Sequence, residues 1–134
     1  MSEYRGKIVF ADFSAITCEG SINEAPALQS HYNRYHSRGL EIMTILEDCP
    51  ALHDCPADKV ATAAQLRTWQ QTYGLSFPVV SDPGNVTRIF NYSERSGSTG
   101  FPTGYIIDAN GVIRYRFSGF DAAGISAALA TLLP

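Results

Sequence analysis

Apolar positions in this chain fall into short blocks whose spacing changes from one block to the next. Lys7 to Phe13 carries an apolar, β-prone run (Ile8, Val9, Phe10, Phe13) broken by one acid, Asp12, and predicts a buried central strand. From Ser21 to Ser37 the spacing turns helical, through Ala27, Leu28, Tyr32 and Tyr35. Ser21, Asn23 or Glu24 is expected to open this helix, Pro26 to shape or kink it, and Gly39 to close it in a left-handed conformation. His31 and His36 on this helix read as surface positions. Leu40 to Leu46 predicts a second buried strand, parallel to the first if the helix is an ordinary crossover.

The second half repeats the alternation. A helix is expected from Asp58 or Thr62 through Leu66, Trp69 and Tyr73 to Gly74, and then a short strand, Phe77 to Val80. Pro78, which lacks a ladder donor, puts that strand at an edge. A short helix is expected at Val86 to Phe90, and a flexible stretch at Ser93 to Gly100, which holds three Ser and two Gly. Tyr105 to Asp108 and Val112 to Ser118 flank Ala109-Asn110-Gly111, a strong hairpin signal because Asn-Gly readily takes positive φ. Asp121 or Gly124 opens a last helix through Ile125, Leu129 and Leu132. The order β-α-β-α-β-α-β-β-α predicts an α/β fold of three layers, a central mixed sheet of about five strands flanked by helices, as one domain over residues 1–134.

Composition narrows the function classes. The chain has 134 residues, 45% hydrophobic and 17% charged, which suits one compact core. A formal charge of -3 supplies no basic footprint, so no nucleic-acid partner is expected. No apolar run approaches the roughly 20 residues that span a bilayer, and the polar start Met1-Ser2-Glu3-Tyr4-Arg5-Gly6-Lys7 is not a signal peptide.

Candidate chemistry centres on Cys18, which falls where the first strand hands over to the first helix. A thiol there meets unpaired backbone N–H groups and the positive end of the helix dipole, and both favour a thiolate. The run Asp12-Phe13-Ser14-Ala15-Ile16-Thr17-Cys18-Glu19-Gly20-Ser21, with Glu24, Pro26 and Leu28 behind it, resembles the active-site segment of thioredoxin-like proteins, nearest the TlpA/ResA type of thiol-disulfide oxidoreductase. Phe101-Pro102-Thr103-Gly104-Tyr105-Ile106-Ile107-Asp108 resembles that family's G-x-P-T-x-x-x-I-D segment. The chain departs from the family pattern at three places: Ser21 stands where the second cysteine belongs, and Ser14 and Thr17 replace two tryptophans.

The resemblance implies a thioredoxin-like fold, Cys18 as nucleophile, and Pro102 after a cis bond against the thiol. Phe101, Thr17 and Glu19 would meet the substrate. It also implies a role for Asp12 as proton relay, while the residues alone equally allow an acid solvated at the strand mouth. Ser21, one helical turn past Cys18, is expected to bring its hydroxyl within reach of the sulfur. A hydroxyl cannot resolve a mixed disulfide, because exchange requires a thiolate. A thiol restored at position 21 is expected to close a disulfide with Cys18. Partners would be protein disulfides or thiols, with no cofactor. The resemblance places the work in the periplasm or elsewhere outside the cytoplasm, on a soluble, monomeric domain whose native protein can carry a membrane anchor.

Three cysteines make an odd count. Cys49 and Cys55, in a Pro-bounded loop, are expected to pair with each other, while a resolving role toward Cys18 stays open. Cys18, Cys49, His53 and Cys55 are metal-ligand types, but C-x3-H-x-C is no recognised metal signature and no metal is expected. Peroxiredoxins keep a threonine three residues before the reactive cysteine, where this chain has Ala15. The alternative to a one-cysteine exchange enzyme is a non-enzymatic domain that keeps the fold for partner or metal binding, with Cys18 as a small apolar filler.

Overall fold

The computed structural model describes residues 2–48, 60–83, 92–93 and 98–133. Its main sheet has five strands: β1 (Ile8–Ala15), β2 (Leu40–Glu47), β3 (Val79–Val80), β6 (Thr103–Ile107) and β7 (Ile113–Ser118), in the spatial order β3-β2-β1-β6-β7. The β1, β2 and β3 strands run parallel; β6 pairs antiparallel with β1, and β7 antiparallel with β6. A separate pair, β4 (Tyr92–Ser93) and β5 (Ser98–Thr99), begins one residue before the stretch Ser93 to Gly100 expected to be flexible and otherwise lies in it. Among the described residues three α-helices accompany the strands: α1 (Glu19–Tyr35), α2 (Ala63–Thr72) and α3 (Ala122–Leu132). The expected helix at Val86 to Phe90 and the Cys49–Cys55 loop lie outside the described residues.

The central strand is longer than its apolar run predicts, continuing past Phe13 through Ser14 to Ala15. Ser14 extends it because its buried hydroxyl finds an acceptor on the same strand, the Asp12 carboxylate. Helix α1 begins at Glu19, two residues before Ser21, with Cys18 as its N-cap. One face of α1, carrying Ser21, Glu24, Ala25, Leu28 and Tyr35, is buried, which is the stripe a 3.6-residue period presents to a sheet. Pro26 is accommodated inside the helix, and Gly39, at φ 100°, closes the short 3-10 turn that follows. His36 is exposed, as expected, whereas His31 is half-buried with its ring stacked on Tyr35.

The core runs along the sheet from Ile8, Phe10, Leu40 and Ile42 to Ile106, closed by Leu28 of α1, Trp69 of α2 and Ile125 and Leu129 of α3. Gly104 is needed there, since a Cβ at that position would lie 2.5 Å from the Phe10 ring. The β6–β7 hairpin turns on Asp108, whose carboxylate accepts from Asn110 N–H at 2.9 Å and Val112 N–H at 3.0 Å, with Gly111 at φ 81°. Helix α3 is capped by Asp121, which accepts from Gly124 N–H at 2.9 Å.

Candidate active site

The strand-to-helix junction is tied from several directions. Ile16 N–H donates to Glu47 C=O at 3.1 Å, extending the parallel ladder one residue past β1. Cys18 N–H then donates back to Ala15 C=O at 3.1 Å, and Cys18 C=O accepts the first helical bond from Ile22 N–H at 2.9 Å. The result is a tight turn that places the sulfur at the head of α1. Cys18 is 7% exposed and packs with Ala15 and Phe101. Its Sγ donates to Phe101 C=O at 3.3 Å, so the thiol reaches across to the start of β6.

Phe101 and Pro102 form the opposing wall. Their peptide bond is cis, Pro102 is buried and Phe101 half-buried. Gly20 lets the two walls approach: a Cβ there would lie 2.9 Å from Pro102 Cδ and 3.8 Å from the Cys18 sulfur. Thr17 and Glu19 flank the thiol in exposed positions, Glu19 as the acid in the first turn of α1. Cys18, Phe101, Pro102, Thr17 and Glu19 are thus brought to one edge of the sheet.

Asp12 lies beneath this edge and is 2% exposed, which rules out an acid solvated at the strand mouth. Ser14, two residues along and so on the same face of the strand, donates to its two oxygens at 2.8 and 2.9 Å. Thr44, directly opposite Asp12 in the β1–β2 register, donates to Oδ2 at 2.8 Å. Burial pushes Asp12 up to about 6, against the pull of the Thr44 and Ser14 hydroxyls, which favour the carboxylate.

Glu24, on the buried stripe of α1, belongs to the segment that carried the resemblance but was assigned no role at the site. It is 1% exposed and its Oε1 has no hydrogen-bond partner. Burial, then the charges of Asp12 and Cys18, push it up to about 9, so it carries a proton at neutral pH. The signal was available in the sequence: an acid three residues after Ser21 and four before Leu28 belongs to the stripe that faces the sheet.

Ser21 departs from expectation. It is fully buried, and its Oγ accepts from Ala15 N–H at 3.1 Å. Among the described residues no hydrogen bond joins it to the Cys18 sulfur; the hydroxyl turns toward the strand instead. Cys49, His53 and Cys55 lie outside the described residues. Among the described residues no group of three or more His, Cys, Asp or Glu is placed to hold a metal ion, and no helix is long and apolar enough to cross a membrane.

A parallel β-α-β unit with an antiparallel hairpin, a cysteine at the head of the first helix and a proline-bounded wall across from it define a thioredoxin-like protein. The chain belongs to the AhpC/TSA family, whose pattern it matches over residues 1–116. It is similar to the thiol-disulfide oxidoreductase ResA of Geobacillus kaustophilus, 28% identical over 120 residues that cover 89% of this chain and 59% of that protein. It is also similar to the protein DipZ of Mycobacterium tuberculosis, 29% identical over 115 residues, 86% of this chain and 15% of that one. The chain thus spans about three-fifths of the ResA relative and a small part of DipZ. Among solved structures, a putative thiol:disulfide interchange protein DsbE from Chlorobium tepidum shares the fold with a TM-score of 0.77 at 20% identity, covering 99% of this chain and 84% of that one.

Proposed function

We propose that this domain carries out thiol-disulfide exchange through Cys18 alone. The observation that carries this reading is the placing of the Cys18 sulfur at the N-cap of α1, in contact with the Phe101 carbonyl across from Pro102. An extended peptide laid along Phe101 can pair with its backbone as an added strand and bring its own sulfur to Cys18, with Thr17 and Glu19 at its flanks.

In the exchange step the Cys18 thiolate attacks one sulfur of a substrate disulfide. A new S–S bond forms between Cys18 and that sulfur, the old one breaks, and the other substrate sulfur leaves as a thiolate. No net oxidation occurs, because the disulfide moves intact in electron count. Ser21 supplies no second thiolate, so a thiol from another molecule releases Cys18 by the reverse attack. Glu24, protonated at neutral pH, and Asp12, with its hydroxyl donors, lie below the sulfur as proton carriers for these steps. The ResA and DsbE resemblance supports protein thiols or disulfides as substrates and a site of action outside the cytoplasm.

The test is intact mass. Incubated with a protein or small-molecule disulfide, the chain is expected to gain the mass of one substrate half, to lose it on addition of a dithiol, and to show no gain as Cys18→Ala. Absence of an adduct at Cys18 would sink this reading. An adduct that resolves without added thiol would instead assign the resolving role to Cys49 or Cys55.

A further inference from the structure

The parity of the central strand makes Ser21 more than a missing cysteine. Ile8 N–H donates to Gly39 C=O and Ile16 N–H to Glu47 C=O, so the even-numbered residues of β1 direct their N–H groups toward β2. Odd-numbered residues therefore direct theirs toward β6, where Val9, Ala11 and Phe13 stand opposite Ile107, Tyr105 and Thr103. The ladder ends at the Phe13–Thr103 pair, since β6 begins at Thr103. Ala15 is the next residue in the series and has no strand opposite it on that side. Its amide is left over at a position only 2% exposed, where an unpaired N–H is costly.

The acceptor it finds is Ser21 Oγ, at 3.1 Å. The other backbone group of Ala15 is also engaged, its C=O accepting from Cys18 N–H at 3.1 Å. One residue thus holds both ends of the Cys18-Glu19-Gly20-Ser21 segment, and a thiol at position 21, a much weaker acceptor, would hold its end poorly.

We infer that Ser21 is a positioning residue for Cys18: by taking over the ladder bond that β6 does not supply, its hydroxyl fixes the turn that presents the sulfur to Phe101. The inference rests on Cys18 being the exchanging group, and it makes the one-thiol state a built feature of this junction. Ser21 then acts through Ala15, without touching sulfur or substrate.

Two measurements test it, both on the whole chain. Amide hydrogen exchange of the unmodified protein is expected to show Ala15 protected like its neighbour Phe13 within β1, and Ser21→Ala is expected to speed Ala15 exchange about tenfold beyond any change at Phe13. The second is the rate at which Cys18 reacts with a small aromatic disulfide. It is expected to fall about fivefold in Ser21→Ala and to recover in Ser21→Thr, which keeps the hydroxyl. Leu133→Ala, in the core at the far end of α1 where Arg38 reaches the Leu133 carbonyl, is the control for lost stability and is expected to leave the rate unchanged.

An unprotected Ala15 amide in the unmodified protein overturns the inference without any variant. So does a Ser21→Ala rate equal to that of the unmodified chain or of Leu133→Ala. If Ser21→Ala does not fold, the amide protection and the Ser21→Thr rate decide, a rate lowered fivefold despite the retained hydroxyl counting against. If Cys18 forms no mixed disulfide, the exchange reading fails by itself, and Ala15 protection together with Cys18 alkylation by iodoacetamide still judges the positioning.

Discussion

Asp12 on β1 and Glu24 on α1 are two acids buried almost equally, at 2% and 1% exposure, yet the structure treats them in opposite ways. Asp12 lies between two hydroxyl donors that its strand neighbourhood provides, Ser14 on its own strand and Thr44 in register across from it. Glu24 projects from a helix whose backbone donors are used internally, and its Oε1 is left without a partner. Burial alone would drive both carboxyls toward the neutral form. Hydrogen bonding decides the difference: the hydroxyls keep Asp12 near 6, while Glu24 is pushed to about 9 with the Asp12 charge adding to its burial. At neutral pH the coupled pair therefore holds one negative charge and one proton, and the hydroxyl donors around Asp12 favour it as the charged member. What separates the two buried acids is the supply of donors to Asp12 and the neighbouring charges of Asp12 and Cys18 on Glu24, and a strand with a neighbour in register supplies more donors than a packed helix face.

The largest effect that could break this comparison is on stability against pH. Glu24 rises from an ordinary 4.5 to about 9 on folding, so between those values the folded chain holds a proton that the unfolded chain has lost. Stability is then highest below the unfolded value and falls as pH rises, by about 1.4 kcal/mol per pH unit for each proton of difference. Asp12, raised from 3.8 to about 6, adds to the slope only at the acid end. Urea unfolding at pH 5 and pH 8 is expected to show the chain weaker at pH 8 by up to ~4 kcal/mol, and Glu24→Gln to remove most of that loss. Equal slopes in the two proteins would show that Glu24 is not the proton holder.

A smaller effect separates the other acid. Thr44→Val keeps the shape of the side chain and removes the donor to Asp12 Oδ2. It is expected to cost ~1.5–3 kcal/mol at pH 8, where Asp12 is charged, the usual contribution of a hydrogen bond to an ionised group. At pH 5, below about 6, Asp12 is protonated and the cost should shrink. A cost independent of pH would mean that Thr44 matters to packing and not to the charge.

Much of this arrangement was legible in the chain. The apolar blocks marked the central strands and the helix between them, Gly39 marked the close of that segment, and Asn110-Gly111 marked the hairpin. The place of Cys18 at the junction was legible because it depends only on local pattern. The start of α1 was misread because serine is a favoured N-cap, whereas here Ser21 faces inward and Cys18 caps through its backbone alone. The Ser21 acceptor depends on where the β6 ladder stops, which is a fact of the far end of the chain. Thr44 was invisible for a related reason, since only the register of β2 against β1 sets it opposite Asp12. Glu24 could have been read from the helical stripe, but its lack of a partner could not.

The smallest expected effect tests whether the two acids share their charge at all. Burial is the larger cause of the Glu24 displacement, and the Asp12 charge comes second. Asp12→Asn removes that charge while leaving an amide oxygen to accept from Ser14 or Thr44. Glu24, followed by carbon-13 NMR of its carboxyl group, is therefore expected to titrate below about 9 in the variant yet to stay well above its ordinary 4.5, because its burial is unchanged. In unfolding free energy the same sharing should appear as a coupling of ~1 kcal/mol between Asp12→Asn and Glu24→Gln in a double-mutant cycle at pH 8. A Glu24 titration that does not move would make the acids independent, each set by its own surroundings. A fall to the ordinary value would reverse the order of causes, making the neighbouring charge, and not burial on the helix face, what holds the proton on Glu24.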